Sequence, residues 1–352
     1  GDFYLDTETC PFDKHRCYAV SVTEGGPDGE TFSATIRDGE DPISMAFSWM
    51  IDRANRNFGP MDFQRKGDLI ARVMCHNLTY DLSQMISKLS RVDTIERGTD
   101  VYQARAKYTE EKDGQVRAIH LLFRDTYKMI PSALADFPKM FKLKRHKEYM
   151  PHHLMTHGFV FGRNNGFASR AKLLREVVSE NERDIMFKNM AEWGCEIEPD
   201  KFDLIRYSSR YCEIDTQVLK QGHELFRSML LKDFDIDLFS HCSIASVADK
   251  YYIDKGVYDG VVELRGAVRD FIARANIGGR VMIKENSKHH FISDGTSTLD
   301  DLDAVSLYPS AQSFLDDLGR GGKSGGILKG SPKVWTPDID LSKVDGLSLI
   351  HI

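Results

Sequence analysis

The chain has 352 residues, 41% of them hydrophobic and 28% charged, with a net charge of −6 at pH 7. That length can bury the cores of two ordinary domains, and the composition is that of a soluble globular protein. No run approaches the roughly 18 apolar residues of a membrane helix, no basic-then-apolar segment opens the chain as a secretory signal would, and the acidic balance is not that of a protein that simply coats nucleic acid.

In chain order, Phe3-Tyr4-Leu5 is a short apolar run ending in acidic residues, the pattern of a buried strand whose tip enters a site. Tyr18–Thr23 and Thr31–Ile36 read as further strands, with the turn residues Gly25-Gly26-Pro27 and Asp28-Gly29 between them. Leu69–Cys75 is another apolar run, and Leu82–Leu89 has helical spacing. Val101–Tyr108 and Val116–Phe123 flank the polar Glu110–Gly114 as a hairpin, and Ser169–Phe226 is mostly helical. These elements predict one mixed α/β domain over residues 1–230. Over residues 231–352, Ile244–Tyr252 and Leu264–Ala275 read as helices, Val281–Ile283 and Phe291-Ile292 as strands, and Gly319–Gly330 as a glycine-rich loop. No C-x-x-C pair occurs among Cys10, Cys17, Cys75, Cys195, Cys212 and Cys242, which favours free thiols in a reducing compartment over a zinc site. A soluble, intracellular protein with no membrane partner is expected. Gly1 opens the chain in place of Met, so a piece of something longer is expected too.

Three stretches carry acids where a strand or helix would deliver them. In Asp6-Thr7-Glu8-Thr9, residues two apart on a strand face the same side, so Asp6 and Glu8 point together. In Cys75-His76-Asn77-Leu78-Thr79-Tyr80-Asp81, an apolar run ends in a polar cluster and a helical pattern begins at Asp81. In Tyr207–Asp215, Tyr211 and Asp215 lie four apart and share one helix face. Taken singly, these are also a strand end, a turn with its helix cap, and a solvated helix face. Taken together, they supply the converging oxygen ligands that hard divalent cations such as Mg²⁺ and Mn²⁺ require.

The order and spacing of the three stretches resemble the exonuclease motifs of family B DNA polymerases, which have a ribonuclease-H-like (DnaQ-type) fold. The resemblance implies a 3′–5′ proofreading site with two cations about 4 Å apart, one activating water and the other stabilising the leaving 3′ oxygen. It assigns Asp6, Glu8 and Asp215 to the first cation and Asp81, with Asp6, to the second. Tyr211 would orient the attacking water. Thr7, Asn77 and Tyr80 would grip the last nucleotides of a single strand, Tyr80 by stacking. Between the second and third motifs, Lys139–Lys147 holds five Lys/Arg in nine residues, with Phe141 and Tyr149 about its later half. With Phe123-Arg124-Asp125-Thr126-Tyr127-Lys128 before it, the segment is similar to the matching region of protein-primed polymerases, which implies that Thr126 binds single strand and Lys147 helps order the metal site.

Further on, Asp303-Ala304-Val305-Ser306-Leu307-Tyr308-Pro309-Ser310 resembles motif A of the same family, D-x-x-S-L-Y-P. There Asp303 would ligate the metal that bridges primer end and incoming dNTP. The turn at Ser306 and Leu307 would offer backbone N–H groups to its phosphates, and Tyr308 would stack under its sugar. Asn276-Ile277-Gly278-Gly279 resembles the Y-x-G-G linker motif that contacts DNA, with Asn276 in the tyrosine's place. The family's motifs B and C are absent. The expectation is therefore an exonuclease domain over residues 1–230 followed by an incomplete polymerase palm over residues 231–352, unable to synthesise DNA alone. The resemblance points to the protein-primed branch of viral, bacteriophage and linear-plasmid elements. It implies primer-template DNA and a terminal priming protein as partners, in a host cytoplasm or organelle. Two rival readings stay open: a stand-alone 3′–5′ exonuclease, and a non-catalytic module that binds DNA or a priming protein.

Overall fold

The computed structural model describes residues 1–11, 15–58, 70–145, 148–260 and 264–274. The chain divides into two compact units, Gly1–Gly260 and Val261–Ile352. In the first, the strands β1 (Asp2–Thr9), β2 (Cys17–Glu24) and β3 (Thr31–Thr35) precede helix α1 (Pro42–Phe58). Strand β4 (Ile70–Cys75) leads into α2 (Leu78–Met85), followed by β5 (Ser90–Arg97), β6 (Asp100–Lys112) and β7 (Gln115–Asp125). The short helices α3 (Thr126–Met129), α4 (Phe137–Phe141) and α5 (His157–Val160) come next. Then follow β8 (Phe167–Ser169), α6 (Arg170–Glu176), α7 (Glu180–Glu192), β9 (Glu196–Glu198) and β10 (Lys201–Asp203). The long helix α8 (Leu204–Phe234) and α9 (Ile244–Asp254) complete the unit. In the second unit the described residues form α10 (Gly266–Ala273). The motif A stretch with Asp303, Ser306, Leu307 and Tyr308, the Gly278-Gly279 pair and Lys147 lie outside the described residues.

Seven strands form one mixed sheet in the order β3-β2-β1-β4-β7-β6-β5. The β1–β4 and β4–β7 pairs are parallel, and the flanking pairs are antiparallel. This is the mixed-sheet, ribonuclease-H-like arrangement expected from the sequence. A small sheet, β8-β10-β9, stands beside it. Helical periodicity hid the β9–β10 hairpin, whose strands are only three residues each. Strand β5 is mostly exposed and therefore carries no apolar alternation to read.

The period-two rule decides where the acids go. Phe3 and Leu5 enter the core beneath α1, with Val20, Phe47, Met50, Val73 and Phe123. Tyr4, on the other face, packs with Met74, Phe137, Val218 and Leu219 on the side of α8. Asp6 and Glu8 continue the Tyr4 face, so the strand aims them at the same helix. Each large side chain buried this way contributes roughly 1.5–3 kcal/mol. Helix α8, 31 residues and about 46 Å long, is capped by Asp203, whose carboxylate accepts the Arg206 N–H at 3.0 Å. It ends where Asp235 takes a left-handed conformation, φ 57°. Among the described residues no helix is long and apolar enough to cross a membrane.

One glycine shows how tightly α8 is seated. A methyl group on Gly222 would lie 2.4 Å from Cδ2 of Phe137, a ring with no exposed surface. Alanine normally gains about 1 kcal/mol over glycine inside a helix. Here overpacking against α4 costs about 1–3 kcal/mol, so Gly222→Ala is expected to lower the unfolding midpoint in a denaturant titration. A raised midpoint would show that α4 yields freely.

Candidate active site

Four acids from three elements meet at one end of the sheet. Asp6 and Glu8 come from β1, Asp81 from the first turn of α2, and Asp215 from the middle of α8. Glu8, Asp81 and Asp215 are buried, and Asp6 is half-buried. Oxygens of Asp6 and Glu8 and the sulfur of Cys212 all lie within 4.8 Å of one another. The Cys212 thiol donates to the Asp6 carbonyl at 3.3 Å. Burial, then the Asp6, Glu8 and Asp215 carboxylates, pushes that thiol well above its ordinary range, so it stays protonated. Hard divalent cations prefer oxygen, and Asp6 with Glu8 is the pair suited to hold one.

Asp81 faces the sheet from the opposite element. Its Oδ1 accepts the Thr7 hydroxyl at 2.6 Å, and a Thr7 backbone bond adds to this. Its carboxyl is nevertheless pushed well above the ordinary range, first by burial and then by the charge of Asp6, against the pull of the Thr7 bonds. A buried acid facing a second acid supplies the oxygen donors and the uncompensated charge that a hard cation takes up. The residues therefore fit the divalent metal implied by the family resemblance.

Tyr211 and Asp215 do share one face of α8, and the phenol is hydrogen-bonded to the carboxylate. Burial, then Asp215, Glu8 and Asp6, holds the phenol far above its usual value. The phenol is thus held in its O–H form beside Asp215. The Tyr211 hydroxyl is suited to an orienting role.

The turn that delivers Asp81 is built on an uncommon backbone. Asn77 is left-handed, φ 75° and ψ 55°, and its exposed side chain makes no cap bond to α2. The fully buried Asp125, at the end of β7, holds the turn in place by accepting the Asn77 N–H at 3.0 Å and the Tyr127 N–H at 2.9 Å. Cys75 and Asp125 are register partners, so the ends of β4 and β7 coincide there. Thr126 is also fully buried. Its hydroxyl donates to the Cys75 carbonyl at 2.9 Å and meets His76 Nδ1 at 3.0 Å. His76 Nε2 reaches the Ser132 carbonyl at 3.0 Å. Tyr80, on the exposed side of α2, shares a short hydrogen bond with Thr9 and another, 3.2 Å long, with His15.

The basic segment arranges itself differently from its sequence pattern. Phe141 turns inward against Phe137 and Phe226, and Tyr149 gives its carbonyl to the Tyr207 hydroxyl at 2.6 Å. The segment therefore presents cations more than rings. Sequence reasoning missed His152. Its Nδ1 stands 3.7 Å from Glu8 Oε2, and its ring meets Tyr211 edge-on with centroids 5.8 Å apart. The His152-His153 pair was visible in the chain, but no spacing tied it to an acid more than 140 residues away.

Because Asp81 is raised, its stabilising effect is complete at low pH and lost as pH rises through its folded-state value. Chelator-treated protein should accordingly lose melting temperature as pH climbs above the ordinary carboxylate range. Asp81→Asn should flatten that decline, and Mn²⁺ should raise the wild-type melting temperature more at high pH than at low pH. Parallel pH profiles for wild type and Asp81→Asn in scanning calorimetry would contradict this.

Residues 67–316 match the family described as DNA polymerase type B, organellar and viral. A probable DNA polymerase of Neurospora intermedia is 23% identical over 249 residues, 69% of this chain and 24% of that protein. Among solved structures, Phi29 DNA polymerase complexed with single-stranded DNA is similar with a TM-score of 0.46 and 15% identity, over 81% of this chain and 41% of that one. Its ternary complex with primer-template DNA and incoming nucleotides gives 0.47 and 14%, over 81% and 40%. The chain spans about a quarter of the length of the curated relative it matches. With well over half of its residues matched, the chain belongs to the organellar and viral type B DNA polymerases.

Proposed function

We propose that residues 1–230 form a 3′–5′ exonuclease domain that edits the primer end for a DNA polymerase, and that residues 231–352 begin its palm. The observation that carries this reading is the pairing of Asp6 and Glu8 at one end of the sheet, with Asp81 and the Tyr211–Asp215 helix face close enough to feel their charge. Two divalent cations, Mg²⁺ or Mn²⁺, bound by Asp6, Glu8, Asp81 and Asp215 would supply the charge that acidifies the attacking water and stabilises the leaving 3′ oxygen.

The chain's own residues do the rest. Tyr211, hydrogen-bonded to Asp215, orients the water against the terminal phosphodiester. Asn77 is exposed on a rigid left-handed turn, so its amide can meet the terminal nucleotide without rearrangement. Tyr80, partly exposed near it, has a ring that can stack on a base. Thr7 acts on the strand indirectly by orienting Asp81. Thr126 does so by bracing His76 and the Cys75 carbonyl under the same turn. Lys147 is assigned to the metal site by resemblance to the family. So are Gly278 and Gly279 as linker contacts to DNA, and Asp303 with Ser306, Leu307 and Tyr308 as metal and dNTP ligands. Single-stranded and primer-template DNA are the partners this implies, as in the Phi29 complexes, with a terminal protein as primer.

The test is the release of nucleotides from a 5′-labelled single-stranded oligonucleotide in Mn²⁺. Wild-type chain should shorten it from the 3′ end, and the Asp6→Ala, Glu8→Ala double variant should match a chelator control. Equal shortening by both proteins would overturn the reading. Tyr211→Phe keeps the ring but loses the donor. It should lower kcat by roughly 10²-fold, the size of a lost positioning contact, with little change in KM. An unchanged kcat would remove Tyr211 from the mechanism.

A further inference from the structure

We propose that His152 is a positioning residue of this nuclease site, bracing Glu8 and Tyr211 at once; the inference rests on the exonuclease reading above. The two groups it touches belong to different elements, β1 and α8. Their mutual alignment is not enforced by either element alone. The imidazole bridges the gap: Nδ1 lies 3.7 Å from Glu8 Oε2, and the ring packs edge-on to Tyr211 at 84°.

The segment beneath it is firm. His152 begins a single turn, His152–Leu154, in which its N–H donates to the Met150 carbonyl at 2.9 Å and the Leu154 N–H to that of Pro151 at 3.0 Å. Met150, Pro151, Leu154 and Met155 are all buried. The side chain itself is 53% exposed, so one edge meets Glu8 and Tyr211 while the remainder opens to solvent at the mouth of the site. A carboxylate has two oxygens, and an imidazole nitrogen 3.7 Å from Oε2 favours the rotation that turns the other oxygen toward a cation. A ring packed against Tyr211 restricts the swing of that side chain about its Cα–Cβ bond and so helps to place its hydroxyl oxygen. Groups that orient ligands in this way typically contribute 10–100-fold to metal affinity or activity.

The neighbouring His153 provides a contrast within one turn. Its Nε2 meets the Glu176 carbonyl at 3.2 Å, on α6 and away from the acids. It serves as the control.

The experiment uses the full chain with His152→Ala, His152→Asn and His153→Ala. The oligonucleotide assay gives kcat and KM, and electron paramagnetic resonance of free Mn²⁺ gives cation affinity without turnover. His152→Ala should lose roughly 10–100-fold in kcat, weaken Mn²⁺ binding and leave KM and the melting temperature nearly unchanged. His152→Asn, whose amide can reach the place of Nδ1, should recover most of both losses. His153→Ala should behave as wild type. Wild-type kcat and Mn²⁺ affinity in His152→Ala would overturn the proposal, as would a loss in KM alone or a failure of asparagine to rescue. If wild-type chain shows no Asp6- and Glu8-dependent release, the exonuclease reading falls instead, and Mn²⁺ affinity still decides whether His152 orders the acids.

Discussion

Four carboxylates in one poorly hydrated place repel one another, and the architecture of the first unit answers that repulsion. Left to themselves, Asp6 and Asp81 would separate or keep a proton, as the raised Asp81 shows. What opposes this is a row of polar ties between α8 and the strands on which it lies. Thr216 bonds Thr23 at 2.8 Å, Gln217 donates to Thr31 at 3.1 Å, Glu213 accepts from Ser33, and Tyr18 donates to Ser208 at 3.3 Å. Each tie is modest, about 1 kcal/mol net. Together with the packing of Val218 and Leu219 on Tyr4 and Met74, they fix the helix by both rotation and height. The acidic face of α8 can then point only at β1.

A second layer of order comes from the main chain. The left-handed Asn77 costs energy that a flexible loop would not spend. Asp125 offsets that cost by accepting backbone bonds from Asn77 and Leu78 in the turn. Burying Asp125 raises its carboxyl, and the amides of Tyr127, Asn77 and Leu78 pull it back. Buried charge here is spent on geometry: it sets where α2 begins, and hence where Asp81 stands.

The same distinction explains what could be read from the chain. The strands that pair in the middle of the sheet carry strong apolar patterns, and β2, β4 and the β6–β7 hairpin could be located from them. The shared face of Asp6 and Glu8 follows from a period of two, and that of Tyr211 and Asp215 from a period of four. Such rules are local. They say nothing about exposed edge strands such as β5, or about Phe141, whose ring the tertiary packing draws inward. They are equally silent on Asp125 and His152, whose partners lie about 50 and more than 140 residues away. Long-range contacts give no periodic signal, and the supporting residues of this site act through such contacts.

The seating of α8 also has a consequence for how the chain acquires its site. Cys212 and Asp6 touch across 206 positions, and Thr216 meets Thr23 across 193. Contacts of that span close late, because the loop entropy must be met before they repay it. A chain emerging from the ribosome can pair β1, β2 and β3 early, yet the enclosure of the acids waits for α8. Until then Asp6 and Glu8 remain open to water, where ionised carboxylates cost nothing to keep. Repulsion is confronted in one final docking step, when the polar ties and the apolar packing that balance it arrive on the same helix.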